Sequence, residues 1–309
     1  MREPYIRPDV RDFLAYIQTL DRPKAHLAGP DGARRMLIAS RHAFETPAKK
    51  IRIGRNIEGP VPLRLYDDRP ERGPGPLLVF LHGGGWVIGD LETHEPFCID
   101  VAKALDLPVV AVDYRLAPEH PFPAGLNDAL AATRWIAAAP PQLERAPTAL
   151  FLAGDSAGGN LACVISASLR DSPAMVPIAG QWLIYPASDP EVRYPSYAEF
   201  NSGYVLTKES MDWFEDCYAA PRGDWRYSPL LAGTSGLPPT FVVTAGLDPI
   251  RDQGRAYASR CAEAGVETIY LEVRGTVHGF LNLRGAIPSG REDFARCMAY
   301  LKPWVEQVR

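Results

Sequence analysis

The sequence predicts an α/β protein whose mostly parallel central sheet of about eight strands carries helices on both faces. Short apolar runs alternate with helix-like segments over most of the 309 residues, and this alternation is typical of parallel sheets covered by helices. Runs such as Leu77–Leu81 are apolar at every position, as expected for strands buried on both faces. A glycine-rich turn centred on Ser156 joins one such run to a helical segment.

Eight segments have the composition of strands, and five segments between or after them have that of helices. The first two strands are predicted to form a hairpin, and the later strands to pair in parallel. The predicted strands are Ile51–Ile57, Val61–Tyr66, Leu77–Leu81, Val109–Asp113, Ala149–Ala153, Ile178–Tyr185, Phe241–Ala245 and Thr268–Val273. The predicted helices are Phe97–Leu105, Leu126–Ala139, Leu161–Arg170, Arg255–Ala264 and Asp293–Val305.

The glycine-rich turn at residues 154–159 has the sequence GDSAGG. A strand, a sharp turn with serine at its apex and a helix form the nucleophile elbow of α/β hydrolases, G-x-S-x-G. The glycines permit a tight turn and a close approach of strand and helix while the hydroxyl stays exposed. We therefore interpret Ser156 as a nucleophile. The alternative is a turn in which Ser156 only caps the helix.

A second glycine-rich segment, HGGGW at residues 82–86, follows an apolar strand-like run. In α/β hydrolases such a loop supplies backbone N–H groups to the oxyanion hole, together with the residue after the nucleophile. We predict that the donors are Gly83, Gly84 and Ala157. Ala157 also begins a helix, whose N-terminal field favours developing negative charge. Trp86 closes the loop and is predicted to line the substrate pocket.

A serine nucleophile needs a general base, and the order of residues singles out one histidine. The chain has six histidines, but only His278 follows Ser156, and the base comes last in α/β hydrolases. His278 lies in a loop predicted to follow the strand Thr268–Val273. Ligands collect where loops leave the carboxyl ends of parallel strands, so we predict that His278 is the base.

The acid that orients the base is predicted to be Asp248, which stands at the carboxyl end of the strand Phe241–Ala245. Its rival is Asp252, which suits the first turn of the following helix, where a carboxylate interacts favourably with the helix dipole. A purely structural role for Asp248, as a helix cap, is the other alternative.

Together these motifs resemble the hormone-sensitive-lipase-like family of bacterial carboxylesterases, also called family IV. The resemblance runs from about residue 50 to the end of the chain and implies an α/β-hydrolase fold with a Ser156–His278–Asp248 triad. It also implies the subgroup with aspartate before the nucleophile, the GDSAGG subgroup. The segments that carry it are residues 82–86 (HGGGW), 113–124 (DYRLAPEHPFPA), 154–159 (GDSAGG), 248–252 (DPIRD) and 278–280 (HGF).

Two stretches do not fit the alternating core, and the resemblance implies that they form a small helical cap over the active site. We predict an N-terminal cap segment at residues 1–45, a catalytic core at residues 46–186 and 232–309, and a cap insertion at residues 187–231. The insertion is rich in aromatic side chains; most of them are expected to pack the cap onto the core, and Tyr204 and Trp213 are predicted to line the substrate pocket.

Composition excludes several classes of function. The 33 basic and 37 acidic side chains leave a formal charge of −4, and without a basic stretch no nucleic-acid partner is expected. No apolar run approaches 18 residues, so no membrane span is predicted. The five cysteines are scattered, without metal-type spacing. This pattern, and an N-terminus without a signal-peptide pattern, predict a cytoplasmic protein.

The sequence therefore predicts a serine carboxylesterase that acts on short-to-medium acyl esters as small-molecule substrates, with no metal and no organic cofactor. The same triad also serves amidases, lactonases and transacylases, and these alternatives stay open. A non-catalytic receptor for a small ligand on the same scaffold is the alternative from another class. The resemblance makes a homodimer plausible, with the last strand as an edge available for pairing.

Overall fold

A computed structural model describes residues 3–20, 23–71 and 73–309. Residues 1, 2, 21 and 22 of the predicted N-terminal cap segment lie outside the described residues.

The eight strands, numbered β1 to β8 in chain order, form one sheet with the order β1-β2-β4-β3-β5-β6-β7-β8. Strands β1 and β2 are antiparallel, as are β2 and β4, and the remaining neighbours are parallel. The strands are β1 Ile53–Glu58, β2 Pro62–Asp67, β3 Gly75–Leu81, β4 Val109–Val112, β5 Pro147–Asp155, β6 Ile178–Ile184, β7 Thr240–Leu247 and β8 Thr268–Val277. The predicted fold class and the hairpin are confirmed.

The described residues form nine α-helices, which include the five predicted from the sequence. Helix α2 is broken at Gly29, where φ is 69°, directly before Pro30. No helix in the described part of the chain is long and apolar enough to cross a membrane. The helices are α1 Pro8–Thr19, α2 Ala25–Phe44, α3 Glu95–Leu105, α4 Ala124–Ala137, α5 Ala157–Asp171, α6 Pro195–Phe200, α7 Lys208–Tyr218, α8 Arg251–Glu263 and α9 Gly290–Gln307.

The fully apolar strands are explained by burial of both faces of the sheet. In β3, Leu77, Val79 and Leu81 point into one hydrophobic cluster, and Leu78 and Phe80 point into the other. Each such side chain stabilises the fold by roughly 1.5–3 kcal/mol relative to an exposed position. The central strands therefore form a rigid base for the loops at their carboxyl ends.

The N-terminal helices are attached to the carboxyl ends of the last strands. Val10 and Phe13 of α1 pack in a third cluster with Val277, the last residue of β8. The guanidinium of Arg7 pairs with Asp293 of α9, and the backbone N–H of Arg7 donates to Gly275 O at 3.0 Å. Helix α2 packs on α1 through Phe44, whose ring lies 5.3 Å from that of Phe13 between centroids. It also contacts α7, in the segment between β6 and β7.

Replacement of Phe80 by alanine tests the two-sided burial of β3. Its ring is 1% exposed and lies 5.3 Å from the Phe97 ring, measured between centroids. We expect the free energy of unfolding to fall by about 3–5 kcal/mol, the usual effect of emptying a buried aromatic site. Urea denaturation would measure it. The matched control is Leu27→Ala, at a side chain that is 74% exposed, where a change below about 0.5 kcal/mol is expected. Equal effects of the two variants would contradict this account of the core.

Candidate active site

Ser156 occupies the turn between β5 and α5 with a backbone conformation that is unusual for a residue with a side chain. Its φ and ψ are 55° and −116°, and such strain typically costs about 1–3 kcal/mol and clusters at functional sites. The turn depends on glycines: a Cβ on Gly154 would lie 2.3 Å from Gly158 O, and one on Gly158 would lie 2.0 Å from Leu81 O. Although Ser156 precedes the helix, its side chain makes no capping hydrogen bond. The hydroxyl is left available for another partner.

That partner is His278, which follows β8 directly. Its Nε2 lies 2.9 Å from Ser156 Oγ, and its Nδ1 lies 2.7 Å from Asp248 Oδ2. An ionised carboxylate can only accept, so Nδ1 carries the proton and Nε2 accepts from the serine hydroxyl. Asp248 is fully buried, and its other oxygen accepts from Ile250 N–H at 2.9 Å. The structure therefore brings together the three side chains that the sequence analysis selected.

Asp252, the rival acid, is engaged elsewhere. It lies in the first turn of α8, where its carboxylate contacts Arg251 and Arg255 at 2.9 Å each. It also accepts from the Ser196 N–H at 3.0 Å. Its contacts hold the start of α8 against α6, as expected for a carboxylate in the first turn of a helix.

The glycine loop after β3 requires a correction to the predicted oxyanion donors. The Gly83 N–H donates to Asp155 Oδ1 at 2.7 Å, so this group is not free to bind a substrate oxygen. Within the described chain, no acceptor binds the N–H groups of Gly84, Gly85 and Ala157. Gly84 and Gly85 have φ values of 125° and 58°, which favour glycine. The available amides are therefore Gly84 and Gly85, with Ala157, in place of Gly83 and Gly84.

Asp155 was treated in the sequence analysis only as part of the serine motif, but it organises the back of the site. Besides the Gly83 amide, its carboxylate contacts His94 Nε2 at 3.2 Å and Asn282 Nδ2 at 3.2 Å. Burial raises the pKa of Asp155, but His94 and the Gly83 amide outweigh it, so its pKa lies below the ordinary value. The carboxylate thus stays charged beside the nucleophile. The aspartate directly before Ser156 in the sequence was the signal that could have identified this role.

His82, which opens the HGGGW segment, packs behind the loop. Burial and the neighbouring His94 lower the pKa of His82 to about 4, so the ring is neutral near pH 7. It stacks against Tyr114, with ring centroids 4.3 Å apart. Tyr114 also donates its hydroxyl to His82 O at 2.6 Å. These contacts fix the start of the glycine loop from behind.

Two cavities meet at Ser156. The larger, about 280 Å³, also contains His278 and the glycine loop, and Leu37 of α2 lines it. The smaller, about 50 Å³, lies on the side of Ala157 and is lined by Met211, but His278 does not line it. Phe214 of α7 lines both cavities.

Of the three predicted pocket residues, Trp86 lines the smaller cavity, where its ring stacks on Tyr218 at 4.4 Å between centroids. The other two predictions are wrong for these cavities. Tyr204 packs against Phe200, with centroids 5.3 Å apart, and Trp213 packs against Phe214 at 5.1 Å; neither lines either cavity.

Leu206 and Phe214 occupy the places expected for Tyr204 and Trp213, since each lines both cavities. Met211, Phe214 and Tyr218 recur at the spacing of one helix face. This spacing was the signal that could have identified Phe214.

Among the described residues, no group of three or more His, Cys, Asp or Glu side chains is placed to hold a metal ion. The five cysteines are all free.

Comparison with known proteins identifies the family. A family model described as alpha/beta hydrolase fold matches residues 78–282. Carboxylesterase NlhH of Mycobacterium tuberculosis is 35% identical over 319 aligned residues, which cover 98% of each chain. The carboxylic ester hydrolase LipN of the same organism is 42% identical over 236 residues; the match covers 73% of this chain and 62% of LipN. This chain thus spans less than two thirds of LipN but nearly all of NlhH.

Solved structures agree along almost the whole chain. An ester hydrolase from the metagenome of Lake Arreo, EH1AB1, solved with a derivative of bipyridine phosphonate, superposes with a TM-score of 0.90 at 37% identity, over 96% of this chain and 98% of that one. A thermostable esterase from Pseudomonas putida ECU1011 gives a TM-score of 0.91 at 29% identity over 99% of both chains. The chain therefore belongs to the hormone-sensitive-lipase-like (family IV) α/β hydrolases.

Proposed function

We propose that this protein hydrolyses short-to-medium acyl esters through an acyl-enzyme on Ser156. The observation that carries the proposal is the position of His278, which is hydrogen-bonded to Ser156 Oγ at 2.9 Å and to Asp248 at 2.7 Å. This arrangement serves acyl transfer by a serine nucleophile. Relatives that align with most of the chain are a carboxylesterase and an ethyl acetate hydrolase. The chain is accordingly a carboxylic ester hydrolase.

The reaction proceeds in two halves. Ser156 Oγ attacks the ester carbonyl while His278 Nε2 takes its proton, and Asp248 holds the imidazole and stabilises its charged form. His278 then gives this proton to the leaving alcohol, and an acyl group remains on Ser156. Water, deprotonated by the same histidine, attacks the acyl group and releases the acid.

The negative charge that develops on the carbonyl oxygen is stabilised by the N–H groups of Gly84, Gly85 and Ala157. Ala157 is the first residue of α5, so the positive end of the helix dipole adds to its hydrogen bond. One donor of this kind contributes about 3–4 kcal/mol to lowering the barrier. Asp155 contributes indirectly, because its bond to Gly83 positions the loop that carries Gly84 and Gly85.

Each of the two cavities holds one side of the ester bond that is cleaved. The leaving alcohol must lie beside His278 to receive its proton, and His278 lines the larger cavity. The acyl group then occupies the cavity of about 50 Å³ between Trp86 and Met211. This division supports a preference for short acyl groups.

Four finer assignments are part of the proposal. Residues 1–45 and 187–231 act as a cap, supported by the contact between α2 and α7 and by the residues of both segments that line the larger cavity. The GDSAGG sequence supports the subgroup with aspartate before the nucleophile. The five free cysteines are consistent with a reducing cytoplasm, and β8 at the edge of the sheet is open to pairing in a homodimer.

Replacement of Ser156 by alanine tests the nucleophile. We expect kcat/KM for p-nitrophenyl acetate to fall by about 10⁵-fold, the order seen when one member of a triad is removed. Ser168→Ala on the same helix is the control, because Ser168 donates only to Val164 O, at 2.8 Å. Parent-like rates in the Ser156 variant, with the control also active, would rule out this nucleophile.

A series of p-nitrophenyl esters tests the acyl cavity. From acetate to decanoate, we expect kcat/KM to be highest for the short and medium chains and to fall by about tenfold or more at decanoate. The small volume beside Met211 cannot hold the longer chains without displacement of its walls. Initial rates for the purified protein give the profile. A steady rise toward decanoate would place the acyl group elsewhere.

Asp155→Asn tests the support of the glycine loop. The amide keeps the size of the side chain but removes the charge that holds Gly83 and His94, and hydrogen bonds to charged groups contribute about 1.5–3 kcal/mol. We expect kcat to fall by about tenfold or more while KM changes little. Asp113→Asn is the control, since this carboxyl at the end of β4 makes no side-chain hydrogen bond in the described structure. An unchanged kcat in Asp155→Asn would contradict the role of this carboxylate.

A further inference from the structure

Arg41, near the end of α2, carries a buried guanidinium group without a partner. The residue is 9% exposed, and among the described residues its side chain makes neither a hydrogen bond nor an ion pair; its Nη1 atom is buried and unsatisfied. Burial lowers the pKa of Arg41 below its ordinary value, against the opposing influence of Glu45. A charge withdrawn from water without a partner is unfavourable, so this arrangement calls for an explanation.

The other two buried arginines of the described chain are paired. Arg284 contacts Asp100 at 2.9 Å, and Arg145 contacts Asp67 at 3.7 Å. The fold therefore supplies carboxylates to buried guanidinium groups elsewhere. The difference at Arg41 is its location, because it lines the larger cavity at Ser156.

In the described structure, no carboxylate lies within ion-pair distance of the Arg41 guanidinium, and its Nη1 stays unsatisfied. Asp155 lines the same cavity but is bound by Gly83, His94 and Asn282. Glu45 lines a neighbouring cavity that Arg41 also lines. Its Oε1 accepts from the Thr46 N–H at 2.6 Å, and its Oε2 is buried without a hydrogen-bond partner.

Glu92 and Glu95 line the same neighbouring cavity, and both contact Arg64, at 2.6 and 3.4 Å. The position in the larger cavity is thus open to an anion supplied by the substrate.

We infer that the leaving alcohol of the natural substrate carries a carboxylate, which Arg41 binds in the larger cavity. The inference rests on the proposed function, in which His278 protonates the alcohol in that cavity. A guanidinium matches a carboxylate with two parallel hydrogen bonds, and a single guanidinium balances the single charge of a carboxylate better than a phosphate dianion. The products are then a short carboxylic acid and a hydroxy acid.

The test compares 4-acetoxybutanoate with its neutral amide, 4-acetoxybutanamide, which has nearly the same shape. Acetate release gives kcat/KM for both. We expect the parent protein to favour the carboxylate by about 10- to 100-fold, mainly through KM, as a charge-assisted hydrogen bond implies. Arg41→Met should abolish this preference, so that kcat/KM for the two substrates agrees within about twofold. Arg35→Met is the matched control on the exposed side of the same helix and should keep the preference.

Several outcomes would overturn the inference. Equal kcat/KM for the two substrates with the parent protein, while p-nitrophenyl acetate is hydrolysed, would remove the inference and leave the esterase function standing. A preference retained in Arg41→Met would assign the anion to another residue. A stronger preference for 2-acetoxyethyl phosphate would identify a phosphate as the anion. A stronger preference for monoethyl succinate would move the carboxylate to the acyl half.

If Arg41→Met does not fold, inhibition of the parent protein by the product tests the inference. The product 4-hydroxybutanoate should then inhibit hydrolysis of p-nitrophenyl acetate competitively, and about tenfold or more tightly than 4-hydroxybutanamide. Equal inhibition by the two alcohols would overturn the inference. Failure of the parent protein to hydrolyse p-nitrophenyl acetate at all would instead contradict the proposed function.

Discussion

The buried carboxylate of Asp155 holds together the loops that meet at Ser156. It accepts from the loop after β3 through Gly83, from His94, and from Asn282, four residues after His278. Withdrawal of this charge from water costs several kcal/mol, and the three donors offset that cost while they fix the relative positions of their segments. The amides of Gly84 and Gly85 can point into the cavity because the preceding amide is held behind them.

The parallel sheet supplies the second constraint. Ser156, Asp248 and His278 follow β5, β7 and β8, whose carboxyl ends lie at one edge of the sheet, where ligands bind in folds of this class. Burial on both faces keeps these strands rigid, so a hydrogen-bond chain of 2.7 and 2.9 Å can form between residues separated by 122 positions in the chain. The strained turn at Ser156 is stable because the strands and helix around it determine its position.

The helices outside the alternating core decide what the site can hold. Phe214 of α7 lines both the small and the large cavity at Ser156, and Arg41 of α2 lines the larger one. Helix α2 packs in turn on α1, which packs against the end of β8. The triad thus follows the strands of the sheet, whereas the walls of the larger cavity include residues from two distant parts of the chain, α2 and the segment between β6 and β7.

The sequence by itself determined the fold class, because strands buried on both faces must be apolar throughout, and it selected Ser156, Asp248 and His278, because turn glycines, strand ends and residue order are local signals. The choice among three consecutive glycines was different: Gly83, Gly84 and Gly85 are locally equivalent, and only the carboxylate of Asp155, 72 residues away, engages the first of them. Likewise, Trp213 is as aromatic as Phe214, and the orientation of α7 decided which of the two rings lines the cavities. Tyr204, which precedes α7, packs against Phe200 instead. Nothing near Arg41 in sequence distinguishes it from Arg35 on the same helix. Its burial in the wall of the larger cavity arises from tertiary packing, since the other residues that line this cavity include ones remote in the chain.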